Sequence, residues 1–248
     1  MNDIIIKYVA NTIKDISNEI LNDMQINKVS AVGRDIKLNV DIILDNAIRA
    51  FLTKKFNYPV ISEENETTRQ VPNGKYWILD PLDGSMNYYR NFPMACISVA
   101  LFDDLNPMYG IIINVNNNDV YIAGVLNHIA HKNGKQITLS NTIKLSETVL
   151  ATGFPINKNY DHNSLIDYVN IAQNVKKVRM IGSAGMSLVY VASGVFDAYY
   201  EENIMLWDVA AGLGLVKAAG GYVRFNKGTL PFSYTVFASN GNIKSINN

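Results

Sequence analysis

The chain runs an apolar, aromatic stretch, Tyr76-Trp77-Ile78-Leu79, into Asp80-Pro81-Leu82-Asp83-Gly84-Ser85-Met86-Asn87. Two carboxylates three residues apart, followed by a glycine and a hydroxyl, are the oxygen donors that a hard divalent cation takes. The apolar run has the make-up of a buried strand, and Pro81 is expected to stop it with Asp80 at its end. A turn over Leu82 to Ser85 brings Asp83 back toward Asp80, and Gly84 leaves the backbone open to a ligand. Asp80, Asp83 and the Leu82 carbonyl then offer oxygens to one or two cations. The N–H groups of Gly84 and Ser85 stay free for a phosphate, especially where a helical turn begins there.

Asp-Gly is also among the commonest turn signals, so this string alone is more often an ordinary surface turn than a catalytic site. Two more acidic features tip the balance. Pro59-Val60-Ile61-Ser62-Glu63-Glu64 places a carboxylate pair at the end of another short apolar run, 17 residues before Asp80. Leu206-Trp207-Asp208-Val209-Ala210-Ala211-Gly212 puts Asp208 at the head of a helical segment of small residues. Singly, the glutamates suit a solvated loop and Asp208 suits a helix N-cap. Together the three sets point to a metal and phosphate site.

In order and spacing these motifs resemble the inositol monophosphatase family of Mg-dependent, lithium-sensitive sugar phosphatases, over nearly the whole chain. The family pattern is a glutamate pair, then W-I-x-D-P-[IL]-D-G-[ST]-x-N-[FY], then W-D-x-A-A-G, matched by Glu63-Glu64, Trp77 to Tyr88 and Trp207 to Gly212. Gly182-Ser183-Ala184 resembles the family's substrate-contacting turn, and Asp197 to Glu201 its strand before the last aspartate. The resemblance implies that Glu63, Asp80 and the Leu82 carbonyl bind one Mg²⁺, and that Asp80, Asp83 and Asp208 bind a second. Two or three Mg²⁺ ions are implied in all, with Mn²⁺ as a substitute. It further implies direct in-line attack on phosphorus by an activated water, with no covalent phosphoenzyme. Ser85 matches a family threonine that positions that water, and Asp41 an aspartate that hydrogen-bonds to the same hydroxyl. Asp41, Glu63 and Ser85 are thus the implied catalytic residues. Asp83, Gly84, Ser85, Gly182, Ser183, Ala184, Glu201 and Asp208 are the implied substrate contacts. Arg179, just before the Gly182 turn, suits either an anionic substituent or a surface charge.

The chain departs from the family in three places. Lys37, Leu38 and Asn39 stand where a threonine and small polar residues are common. Tyr88-Tyr89 replaces a Phe and a smaller residue, and Ser62 replaces a glycine before the glutamate pair. The Val32-Gly33-Arg34-Asp35 region resembles archaeal members, which implies action on both inositol monophosphate and fructose 1,6-bisphosphate. A homodimer is implied by the family alone.

Composition agrees. Lys plus Arg and Asp plus Glu are 22 each among 248 residues, with no basic run, so nucleic acid finds no electrostatic footprint. Asp3 to Leu21 spaces Ile5, Val9, Ile13, Ile16 and Ile20 among polar residues as an amphipathic helix, not as a membrane span or signal peptide. Cys96 is the only cysteine, so no internal disulfide forms, which fits a reducing cytoplasm; its apolar neighbours make it a buried strand residue rather than a nucleophile. His128 and His131 share a polar turn over Asn127 to Gly134 with no third soft ligand, so a solvated loop is expected there.

The elements that position these residues read as two parts. Residues 1–140 give helices at Asp3–Leu21 and Asp35–Ile48, strands at Val60 and Tyr76–Leu79, and an antiparallel meander of Ala95–Phe102, Met108–Val115 and Val120–Val125 with turns at Asp103–Pro107 and Asn116–Asp119. Residues 141–248 alternate strand and helix: Val149–Thr152, His162–Gln173, Val178–Ile181, Met186–Ser193, Ala198–Tyr200 and Val209–Ala219, with closing strands near Tyr222 and Val236. The fold class is α+β joined to α/β, and the family's layered αβαβα fold has this division, with the metals at the seam. Two readings of other classes are a non-catalytic regulatory protein of the same fold and a calcium-binding structural domain. No run of alternating acidic residues supports the latter.

Overall fold

The computed structural model describes residues 3–23, 28–32, 35–65, 70–154 and 162–246. Its first helices are α1 (Asp3–Asp23) and α2 (Asn39–Lys55), separated by a short hairpin of β1 (Lys28–Val32) and β2 (Asp35–Leu38). A seven-stranded sheet follows in spatial order β3 (Val60–Ser62), β4 (Lys75–Asp83), β5 (Cys96–Asp103), β6 (Asn106–Asn114), β7 (Val120–Gly124), β8 (Ile129–Lys132), β9 (Lys135–Gln136). All its pairings are antiparallel except β3 with β4. A one-turn helix, α3 (Ser85–Tyr89), leaves the end of β4.

The second sheet holds β10 (Val149–Thr152), β11 (Lys177–Arg179), β12 (Ala198–Met205), β13 (Tyr222–Lys227) and β14 (Ser233–Ser239), in the order β11-β10-β12-β14-β13. Here β10 runs parallel to both neighbours, and the β12, β13 and β14 pairings are antiparallel. The connecting helices are α4 (His162–Asn174), α5 (Ala184–Ala192) and α6 (Leu206–Ala218).

Side-chain alternation sorts these elements into layers. In β4, Trp77 and Leu79 pack with Ile6, Val9 and Ile13 of α1 and Leu44, Ile48 and Leu52 of α2. Tyr76 and Ile78, of opposite parity, join the core around α5 and α6. The last two helices are apolar on nearly every side because a sheet covers each flank: Val209, Ala210, Ala211, Leu213, Leu215 and Val216 are all buried. On the outer face of the second sheet, Ile171 and Val175 of α4 meet Leu150, Ala198 and Phe237. The result is a five-layer α-β-α-β-α stack, and the mixed α and β class expected from the sequence is what the chain adopts.

Several sequence expectations change. Residues 35–38 are strand, not helix: Asp35 and Lys37 alternate with Ile36 and Leu38, a period of two that pairs with β1, and the helical period begins only after Leu38. Pro81 does not stop its strand. Register slips between Asp80 and Asp83, and an irregularity of that kind accommodates a residue without an N–H. His131 lies in strand β8 rather than in a solvated loop. Asn133 (φ 50°) and Gly134 (φ 79°) are the turn of the β8–β9 hairpin, an Asn-Gly signal for a tight hairpin as well as a polar stretch. Asp104 and Leu105 alone make the β5–β6 turn, since Asn106 and Pro107 already pair. The strand placed at Val178–Ile181 ends at Arg179. Among the described residues no helix is long and apolar enough to cross a membrane.

Candidate metal and phosphate site

The parallel register of β3 on β4 sets Ser62 opposite Leu79, so the next residues of each strand, Glu63 and Asp80, come side by side. The N–H of Glu63 donates to the Leu79 carbonyl, which holds that backbone as an extension of the strand. Asp80 pairs with Ser98 on β5, and the Ser98 hydroxyl donates to the carbonyl of Trp207 at 3.2 Å. That bond fixes the first turn of α6 against the sheet and delivers Asp208 to Asp80. Oxygens of Glu63, Asp80 and Asp208 all lie within 4.8 Å of one another. The approach depends on Gly110 in β6, because a Cβ there would stand 2.5 Å from the Ala211 carbonyl oxygen.

Asp83 is held differently. Its Oδ2 accepts from the Ser183 hydroxyl at 2.5 Å and the Gly185 N–H at 2.7 Å, both at the start of α5. Gly185 permits this, since a Cβ there would sit 2.8 Å from the same oxygen. Cys96 packs against that carboxylate as a buried thiol. Gly84 takes φ 86°, a left-handed value that favours glycine, and it starts α3. Asn87 on that helix donates to the carbonyls of Met94 and Ile181, each at 2.7 Å, which ties the Asp83-Gly84-Ser85 turn to the Gly182 turn.

Ser85 and Asp41 meet as the resemblance implied. The serine hydroxyl lies 3.1 Å from Asp41 Oδ1 and 2.8 Å from the Leu82 carbonyl oxygen. Asp41 is not on a solvated helix face; it is 3% exposed, and its Oδ2 accepts the Leu38 N–H at 2.6 Å. Glu201, 6% exposed, accepts from the Tyr199 hydroxyl at 2.8 Å and faces Gly153, where a Cβ would stand 2.5 Å from its Oε2.

These groups line one cleft of about 460 Å³: Asp41, Glu63, Asp80, Leu82, Asp83, Gly84, Ser85, Gly182, Ser183, Ala184, Glu201 and Asp208. Of the residues singled out from the sequence, Arg179 alone is not brought there. It is exposed on an edge strand and donates to the Val178 carbonyl. Thr152 and Gly153 on the same walls carry no sequence signal, and Glu64 and Lys37, both visible in the sequence, have no assigned role there. In the sequence Lys37 stands out only as a departure from the family pattern. Sequence reasoning missed the support under the glutamate turn, where the Ser62 hydroxyl donates to the buried carboxylate of Asp45, which Arg49 grips at 2.6 Å.

Burial is the first cause of every carboxylate shift in the cleft. It pushes Asp80 and Asp208 well above the usual range, with Glu63 next in each case, and Asp208 shares a hydrogen bond with Asp80. Burial lifts Asp83 to about 6 against the opposing bonds from Ser183 and Gly185, Asp41 to about 7 against the Leu38 N–H, and Glu201 to about 7 against Tyr199. Desolvated like charges this close need a proton or a cation among them. An all-oxygen donor set of this kind suits a hard divalent ion such as Mg²⁺.

A model of the inositol monophosphatase family matches residues 2–245. The chain belongs to that family. It is 36% identical over 196 residues to Nus factor SuhB of Xylella fastidiosa, covering 78% of this chain and 70% of that protein. To the inositol-1-monophosphatase of Mesorhizobium japonicum it is 33% identical over 167 residues, covering 67% of this chain and 62%, less than two thirds, of the relative. Among solved structures, SuhB from Bartonella henselae superposes with TM-score 0.82 at 26% identity over 96% of this chain and 94% of that one. An IMPase/NADP phosphatase complexed with Mg²⁺ and phosphate superposes with TM-score 0.80 at 22% identity, over 95% and 90% of the two chains, a likeness of fold.

Proposed function

We propose that this protein is a metal-dependent phosphomonoesterase acting on small phosphorylated sugars or cyclitols, with inositol monophosphate and fructose 1,6-bisphosphate as its substrates. The observation that carries this is the convergence of Glu63, Asp80 and Asp208 oxygens within 4.8 Å, at the floor of a cleft that also holds the Asp41–Ser85 pair. Family membership and the relatives named inositol-1-monophosphatase support it.

In this reading Glu63, Asp80 and the Leu82 carbonyl would hold one Mg²⁺, and Asp80, Asp83 and Asp208 would hold a second; Mn²⁺ would serve the same oxygens. Such ions supply charge neutralisation of a phosphate ester and a lowered pKa of bound water. The protein's own residues do the rest. A serine hydroxyl has one proton, so Ser85 donates to Asp41 when that carboxylate is ionised and to the Leu82 carbonyl when it is protonated. The pair therefore accepts a proton near neutral pH, which suits orientation of an attacking water in line with phosphorus. The N–H groups of Gly84 and Ser85 face the phosphate, and Glu201 and the Gly182-Ser183-Ala184 turn meet the ring hydroxyls. Residues 1–140 and 141–248 act as two subdomains that share this cleft, within a cytoplasmic homodimer.

Phosphate release from inositol 1-phosphate and fructose 1,6-bisphosphate, with Mg²⁺ and with EDTA, tests the reading. Metal-dependent turnover of both is expected, and Asp80→Asn should abolish it in folded protein. Turnover of one alone narrows the substrate class. Turnover of neither favours the second reading, a non-catalytic binding protein, which the relatives named Nus factor SuhB support.

A further inference from the structure

Among the described residues lining the cleft, the charged side chains are seven carboxylates, Asp41, Glu63, Glu64, Asp80, Asp83, Glu201 and Asp208, and one cation, Lys37. Lys37 comes from β2, and its ammonium forms an ion pair with Glu64, the neighbour of Glu63. The two partners differ in setting: the lysine side chain is 38% exposed and that of Glu64 only 7%. Glu64 is thus turned into the protein and its charge is met there, while the lysine stays at the opening. Lys37 lines the same cleft as the triad and the Asp41–Ser85 pair, and the bond with Glu64 first, then the fields of Glu63 and Asp41, raise the pKa of its ammonium.

We propose that Lys37 is a specificity-determining residue of this cleft: its fixed positive charge withholds Glu64 from divalent cations and sets the balance between cation and phosphate binding. This rests on the phosphatase reading for its substrate class, but not for its effect on cations. A cleft of seven carboxylates draws divalent ions and repels a phosphate dianion. A single built-in cation shifts both tendencies in opposite directions, weakening the hold on Mg²⁺ and strengthening the hold on phosphate. Simple structural latching of the β1–β2 hairpin onto the glutamate turn makes a different prediction, since loosening it would weaken both ligands together.

The test is calorimetric binding of Mg²⁺ to the full chain without substrate, then of inorganic phosphate at saturating Mg²⁺, for wild type, Lys37→Met, Lys37→Arg, Glu64→Gln and the Lys37→Met/Glu64→Gln double variant. Lys37→Met should tighten Mg²⁺ and weaken phosphate, each about three- to tenfold for a partly exposed charge acting across screened solvent. Glu64→Gln should do the reverse, Lys37→Arg should keep wild-type affinities, and the double variant should return toward them. Weaker Mg²⁺ in both single-charge variants, or no change beyond about twofold in either, would overturn the proposal. Should wild type bind Mg²⁺ and follow these signs yet release no phosphate from any ester, the phosphatase reading fails and the role of Lys37 toward cations stands.

Discussion

Replacing Gly110 with alanine puts a methyl group on β6 where the Ala211 carbonyl oxygen of α6 stands 2.5 Å away. Ordinary contact begins at 3.4 Å, so the helix must withdraw from the sheet by about 0.9 Å at this crossing. Backbone meets backbone here, and no rotamer relieves the clash. Overpacking of this kind costs about 1–3 kcal/mol, and for a chain of this size that lowers Tm by about 2–12 °C. The larger consequence is local. Asp208 lies one turn before Ala211 on the same helix, while Glu63 and Asp80 stay with the sheet, so withdrawal opens the triad and Mg²⁺ affinity should fall at least about tenfold. Gly214→Ala, one turn further along α6, is the control. A Cβ there meets nothing closer than 3.7 Å, and the gain in helix propensity is about 1 kcal/mol. Its Tm should hold or rise and its Mg²⁺ affinity stay as in wild type. Thermal unfolding and calorimetric Mg²⁺ titration of both variants decide the matter. A Gly110→Ala protein with wild-type affinity for Mg²⁺ would refute the claim that the seating of α6 places Asp208.

Two further outcomes follow from the carboxylates of the cleft. Burial raises Asp41 to about 7 from 3.8 and Glu201 to about 7 from 4.5. Both raised values mean that the native state binds more protons than the unfolded chain between those limits, so their stabilising effect is complete below about pH 4 and is lost as pH rises to about 7; urea unfolding of metal-free protein across this range should show it. Turnover should have an acidic limb near the same pH, because Asp41 must be ionised to accept from Ser85; Asp41→Asn should remove the limb along with most of kcat. Gly153→Ala would set a Cβ 2.5 Å from Glu201 Oε2 and displace that carboxylate. KM should rise for ring-hydroxyl substrates with a smaller effect on kcat, and equal loss of both parameters would count against a binding role for Glu201.

What the sequence made legible follows a physical pattern. The carboxylates that converge in the cleft, and their order along the chain, were plain, because carboxylates at strand and helix ends keep the same local signature wherever the chain goes. Long periodic elements such as α1 and α4 were legible for the same reason, since each repeats its own period over several turns. The pairing of Glu63 with Asp80 was not, as it arises from the register of two parallel strands far apart in sequence. Nor were the bonds from Ser183 and Gly185 to Asp83, which connect residues about a hundred positions apart. The role of Lys37 was not legible, because a four-residue strand running directly into α2 carries too short a period to be told from helix. Arg179 was placed by its proximity in sequence to Gly182, yet a strand edge turns its side chain outward.

The middle layer has a consequence for how the protein must be made and kept. Helices α5 and α6 come from the later part of the chain but cover the sheet of the earlier part, so a fragment of either alone exposes a broad apolar face. The oxygens that would take a divalent ion come from both parts, and their assembly requires the complete native structure. Ion occupancy and folding are then one linked equilibrium, in which a free ion concentration a hundredfold above Kd stabilises the native state by about 2.7 kcal/mol. With Mg²⁺ as that ion, as proposed, its free concentration would help to set how much of this protein is folded, even when no substrate is present.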